Sequence, residues 1–328
     1  MIHPIPPGTR DVLPDEMSDL RAISSTLRET FDAAGYGEVR TPSMEYEEVL
    51  RIGDERAAGA GFRLFDGQGR VLVLRSDNTI PIARVVATRY RDAEPPLRFS
   101  YFAHAYRAVE PGRGQTAEFL QAGIELIGVP GPEGDAEIVT VVVRALEAVG
   151  LEHHRIGIGD ASLYPALLEA FGVPEGERRP LLEELAERDL VGLERRVEAL
   201  GLPEEARDAL VTVPGLRGGP EVLERADGAA AEAVAGLRAC YELLAERGVA
   251  DRVIFDLGLV RELGYYTGAI FEVYDPAVGF TLGGGGRYDE LCGRFGRDLP
   301  ACGLALDVQR VHVAQTAEER DRTWAVRG

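Results

Sequence analysis

The spacing of apolar positions changes several times along the chain, and each change marks an element. Met17, Leu20, Ile23, Leu27 and Phe31 recur at helical spacing after Pro14 and Asp15 and stop at Gly35. This predicts an amphipathic helix behind a Pro/Gly-punctuated arm, PPGTRDVLPDE. GEVRTPSMEY reads as a short strand ended by Pro42, and Phe62–Asp66 with Arg70–Arg75 flank GQG as a hairpin. Phe99–Tyr106 and Ala117–Ile127 are extended around a loop marked by Pro111, Gly112 and Gly114. A helix with an apolar middle follows at Asp135–Val149, then a strand at His154–Gly159. From about Ser162 to Arg247 every pattern is helical, which predicts a helical unit inserted into an α+β one. Strands return at Val253–Leu257 and Gly268–Tyr274, and PACGLALDVQRVHVAQ reads as a strand running into a helix, ahead of a charged tail.

The second strand of the central pair is the most informative. Alternation puts Phe119, Gln121, Gly123, Glu125 and Ile127 on one face and Leu120, Ala122, Ile124 and Leu126 on the other. The second face is core. On the first, an amide and a carboxylate flank a glycine, roughly 13 Å apart at about 3.3 Å per residue. Gly123 is expected to leave a hollow between them, and Arg107 to add a cation from the preceding strand. The pattern fits the floor of a pocket for a small charged ligand, and it also fits an edge sheet whose polar face meets water. Asp77 and Thr79, in SDNTIPIAR, fall between a strand end and a helix start, where residues of their type cap helices. The two roles are compatible.

Composition narrows the chemistry. The net charge of −19 disfavours nucleic acid as a main partner. All 36 basic residues are arginine, which rules out a P-loop lysine, a Schiff-base lysine and a lysine general base. Cys240, Cys292 and Cys302 are scattered, and His153 and His154 point to opposite faces of a strand, so neither a disulfide framework nor a metal site is expected. The glycines of FTLGGGGRYDEL match no phosphate-loop pattern and read as a turn with close backbone packing. No run reaches membrane-spanning length and the first residues lack signal-peptide character, so a cytoplasmic protein is expected.

Taken together, GTRDVLP, LRSDNT, the Phe99–Gly128 stretch, LVRELGYYTG, GGRYDEL and GLALDVQR resemble, in consistent order, the catalytic core of histidyl-tRNA synthetases. The resemblance implies an α+β class II synthetase-like fold, with a six- or seven-stranded antiparallel sheet flanked by helices. It sets the core at residues 1–161 and 251–318, the helical insertion at 162–250 and a flexible tail at 319–328. It also implies a histidine pocket. Asp77 (in place of the family's usual glutamate) and Thr79 would hold the α-amino group, and Gln121 would lie near the carboxylate. Glu125 and Tyr266 would meet the imidazole, Tyr265 would shape the wall, and Arg107 and Arg261 would serve the carboxylate and a phosphate.

Departures from the synthetase pattern carry the functional expectation. Where a synthetase typically reads R-x-E-R-P-Q-x-G-R-x-R, this chain reads RAVEPGRGQTA, with Val109, Glu110, Gln115 and Ala117 at positions that serve ATP. In the third motif Arg310 stands, but Asp307 replaces a glycine and Gln309 an acid. Losing cations from a triphosphate site forfeits charge-assisted bonds of several kcal/mol, on the order of 2 each. Only 18 residues follow Arg310, against about a hundred in the synthetase's anticodon-binding domain. The group these features resemble is the regulatory subunit of ATP phosphoribosyltransferase. That resemblance implies L-histidine as ligand, a short-form ATP phosphoribosyltransferase catalytic chain as partner and no cofactor. It further implies a homodimer formed around Arg40–Tyr46 inside a larger hetero-oligomer. A histidine-activating ligase with a degenerate ATP site, and an assembly scaffold with a relic pocket, are the alternatives.

Overall fold

The computed structural model describes residues 5–55, 59, 61–108, 116–226, 228, 230–260 and 264–327. Helix α1 (Pro14–Ala33) buries Leu20, Ile23, Leu27 and Phe31, the stripe its 3.6-residue period predicts. Next come β1 (Gly37–Glu38), β2 (Met44–Tyr46), α2 (Glu47–Gly53), β3 (Arg63–Phe65), β4 (Val71–Leu74) and α3 (Thr79–Thr88). The long strands β5 (Leu97–Tyr106) and β6 (Glu118–Ile127) precede α4 (Gly131–Val149) and β7 (Arg155–Asp160). The insertion supplies α5 (Leu163–Ala170), α6 (Glu175–Ala186), α7 (Leu190–Ala199), α8 (Glu204–Thr212), β8 (Arg217–Gly218) and α9 (Ala231–Glu246). The chain ends with β9 (Val253–Asp256), β10 (Ala269–Tyr274), β11 (Thr281–Arg287), α10 (Leu291–Arg294), β12 (Ala301–Asp307) and α11 (Val308–Arg327).

The main sheet is larger than expected and mixed. Its order is β1-β5-β6-β12-β11-β10-β7-β9-β8, nine strands among the described residues. The six from β5 to β7 are antiparallel, while β1 on β5 and β9 on β7 are parallel. GEVRTPSMEY divides between this sheet and a second one, β2-β4-β3, which contains the expected hairpin. The four-glycine run is a strand rather than a turn. It pairs on both sides, and Cβ atoms on Gly283 and Gly285 would strike the backbone of β12. The close backbone packing expected of those glycines is present, but within a sheet.

One face of the main sheet packs on α1, α4 and α9, in a core centred on Ile124, Leu126, Ile138, Val142 and Leu304. The insertion's Leu181, Leu193 and Leu210 join that same buried cluster. The other face carries a smaller cluster around Ile80, Ile82, Val86, Tyr101, Tyr265 and Tyr288. Residues 319–327, expected as a tail, continue α11. No helix among the described residues is long and apolar enough to cross a membrane.

Candidate ligand pocket

Glu125, on β6, is 1% exposed, and it is accommodated by a glycine. Its neighbour across the ladder on β12 is Gly303, where any Cβ would collide with Glu125 Oε2. Thr79, at the first position of α3, donates Oγ1–H to Glu125 Oε1 at 2.9 Å, and the Tyr288 hydroxyl donates to Oε2. Burial pushes the Glu125 carboxyl up to about 7, against the pull of the Tyr288 and Thr79 donors. Near neutral pH this group therefore exchanges a proton readily.

The hollow expected at Gly123 does not exist. The β5–β6 register sets Tyr101 directly opposite, and its phenol fills the space where a Gly123 side chain would stand. Gly123 serves to admit that ring, whose hydroxyl reaches Glu125.

Asp77 precedes α3 and takes the capping role its position allowed. Oδ1 accepts from the backbone N–H of Thr79 at 2.9 Å and of Ile80 at 3.2 Å, capping the helix. Oδ2 is buried and has no hydrogen-bond partner among the described residues. Burial raises the Asp77 carboxyl above its usual range. The Ile80 and Thr79 N–H groups oppose this, the Asp54 charge adds to it, and Arg107 lowers it. A buried carboxylate oxygen left without a donor is costly, so this atom is suited to an incoming cation.

Gln121 is 9% exposed, and its Oε1 accepts from Asn78 Nδ2 at 2.9 Å. It lines a cavity of about 110 Å³ with Arg107, Phe119, Gly283, Asp307 and Arg310. The Arg107 guanidinium stacks 4.7 Å from the Phe119 ring centre. Arg310 is engaged elsewhere. It donates to the Thr281 carbonyl at 2.8 Å, pairs with Asp307 at 3.4 Å and lies over Phe280. Gln309 accepts from the Leu120 N–H at 2.9 Å, tethering α11 to β6. Burial raises Asp307, opposed by the N–H and guanidinium of Arg310.

Three tyrosines close the other end. Tyr265 is buried, edge-on to Tyr288 at 5.9 Å and tilted against Tyr266 at 4.9 Å. Tyr266 packs where a Gly286 side chain would be. Tyr288 is held from both flanks. Arg287 pairs with buried Asp135 at 2.8 Å and with Asp289 at 2.9 Å, and Asp289 accepts from the Ala301 N–H at 3.0 Å. Burial pushes Asp135 up to about 6 despite Arg287.

Asp77, Thr79, Glu125, Tyr265 and Tyr266 thus form one cluster, with Gln121 and Arg107 toward the adjoining cavity. Arg261 lies outside the described residues, as do Val109, Glu110 and Gln115. Tyr101, Tyr288, Asn78 and Asp54 were not anticipated as part of the site. Tyr288 lay within a quoted motif, but its contact spans 163 residues and only the fold reveals it.

Residues 8–311 match the family model described as histidyl-tRNA synthetase. The chain is 42% identical to the ATP phosphoribosyltransferase regulatory subunit of Desulforamulus reducens, over 94% of this chain and 78% of that one. It is 43% identical to the protein of that name from Symbiobacterium thermophilum, covering 95% and 79%. It also superposes on a solved ATP phosphoribosyltransferase regulatory subunit/histidyl-tRNA synthetase from Bacillus halodurans. There the TM-score is 0.88 and the identity 34%, covering 96% of this chain and 84% of that one.

Proposed function

The chain belongs to the ATP phosphoribosyltransferase regulatory subunits, which share the histidyl-tRNA synthetase fold, and from that premise we propose that it binds L-histidine around Asp77 and Glu125 and signals its occupancy to a short-form catalytic chain. By family it is a regulatory subunit rather than an enzyme in its own right. In this reading it activates that partner at the first step of histidine biosynthesis and confers inhibition by histidine. It does so in the cytoplasm, within a hetero-oligomer and without nucleic acid.

The observation that carries the reading is Asp77 Oδ2, a buried acceptor without a donor among the described residues. A histidine ammonium supplies that donor. The imidazole, itself titrating near neutrality, meets Glu125, which shares a proton with it in either state. Arg107 and the Gln121 amide are available to the carboxylate. Ligand occupancy biases a shared quaternary state, with a coupling of about 1–3 kcal/mol typical of allosteric proteins.

Two further observations support parts of this picture. Asp307 pairs with Arg310, a cation that the family resemblance assigns to ATP. That weakens the ligase alternative. Met44, Leu64 and Phe65 on the three-stranded sheet are 49%, 41% and 72% exposed. Such an apolar edge beside Arg40–Tyr46 suits a homodimer contact.

The test is phosphoribosyl-ATP formation by a short-form catalytic chain, with and without this protein, across a histidine titration. Stimulation reversed by histidine is expected. Glu125→Ala should move the inhibition curve to higher histidine more than it weakens assembly; an unchanged curve removes the pocket from the account.

A further inference from the structure

Asp54 follows α2 and is 6% exposed, and the sequence did not mark it as ligand-binding. Its Oδ2 accepts from the Gly264 N–H at 2.9 Å, immediately before Tyr265 and Tyr266. The adjoining end of α2 is fixed on two sides. The Gly53 carbonyl accepts from Arg294 Nη1 at 2.6 Å, and Gly53 packs so tightly on Ile80 that a Cβ would approach Ile80 Cγ1 to 2.7 Å. Ile80 belongs to the first turn of α3, the turn that Asp77 caps. The end of α2 therefore touches both segments, through the Asp54 carboxylate on Gly264 and through Gly53 on Ile80.

We propose that Asp54 is a positioning residue for the cationic end of the ligand, holding the Gly264–Tyr266 segment in place and setting a second negative charge behind Asp77. The inference rests on the histidine-pocket reading and deepens it. Asp54 thus has two separable functions: it accepts the Gly264 N–H, and its charge raises the Asp77 carboxyl. The other groups acting on Asp77 or acted on by it are Tyr101 from β5, Arg107 just after it, Glu125 from β6, and Tyr265. Asp54 reinforces the preference for an ammonium that Asp77 and Glu125 establish, and Arg107 opposes it. Through α2 it also links the pocket to the three-stranded sheet.

The experiment is calorimetric titration of L-histidine into the full chain, for wild type, Asp54→Asn, Asp54→Ala and Asp77→Asn. Asp54→Asn keeps an oxygen acceptor for Gly264 and removes the charge; Asp54→Ala removes both. Affinity should fall about threefold to tenfold in Asp54→Asn and about tenfold further in Asp54→Ala, as expected for losing a charge and then a neutral hydrogen bond to the Gly264 backbone. With its anionic neighbour gone, Asp77 ionises more readily. The low-pH limit of histidine binding should therefore move to lower pH in Asp54→Asn, a change that a purely structural role would not produce. If Asp54→Ala fails to fold, Asp54→Asn alone carries the test. Wild-type affinity and an unmoved pH limit in Asp54→Asn, with Asp77→Asn inactive, overturn the inference and leave the pocket standing. Absence of histidine binding in wild type overturns both.

Discussion

The two ends of strand β6 face surroundings of opposite character. At Glu125 the strand meets Thr79, Tyr288 and Tyr101, and nearby Asp77 keeps one carboxylate oxygen without a donor among the described residues. At Phe119 and Gln121 it meets Arg107 and Arg310, and Asp307 pairs with Arg310. One end thus presents an acceptor suited to a cation, and at the other a guanidinium already has a carboxylate partner. In the proposed reading the amino-acid end is kept and the nucleotide end lost, a change local to one strand.

The largest effect expected is at Asp77. Asp77→Asn should weaken histidine binding about 100-fold, the worth of a buried charge-assisted contact near 3 kcal/mol, without lowering the melting temperature. A variant that binds within threefold of wild type would show that the orphan oxygen is not the ammonium site.

Glu125 is next. Its carboxyl sits at about 7 in the folded chain, against a usual 4.5. The folded state therefore holds its proton more tightly than the unfolded chain does. Stability from this group is full below pH 4.5, falls as pH rises through 4.5 to 7 and stays lost above. The cost at pH 8 is at most about 3 kcal/mol. Glu125→Gln should weaken histidine binding about tenfold yet melt a few degrees higher than wild type at pH 8, with the gap closing toward pH 4.5. Equal gaps at both pH values in scanning calorimetry would contradict the assignment.

The smallest effect is expected at the other end. Asp307→Gly frees Arg310 but leaves the second-motif substitutions Val109, Glu110, Gln115 and Ala117 in place. Histidine-dependent ATP–pyrophosphate exchange should stay at background. Measurable exchange would mean that the nucleotide end is one residue from function.

Much of this architecture was legible where periodicity operates. The α1 stripe and the two faces of β6 follow from spacing alone, since a one-residue slip in β6 would turn Gln121 and Glu125 into the apolar core. What escaped depended on partners across the sheet. Gly123 promised a hollow, but Tyr101 fills it because register, which no single strand reveals, sets the two opposite each other. The glycine run at Gly283–Gly286 has no strand propensity; it is extended because β10 and β12 pair with it and leave no room for side chains. Two-residue strands such as β1 and β8 are too short to show any period. Among the site residues, Glu125 and Gln121 stood out as polar groups on a strand fit for burial, while Asp77 and Thr79 read as an ordinary cap and were marked by the family resemblance. Tyr288 and Asp54 act through long-range hydrogen bonds and became visible only once the chain was folded.

The most direct test of the central comparison is a calorimetric titration of L-histidine into the isolated wild-type chain, with and without ATP. A retained amino-acid end and a lost nucleotide end predict saturable binding at one site per chain, with the same affinity whether or not ATP is present. Absence of binding, or binding that depends on ATP, would contradict the account.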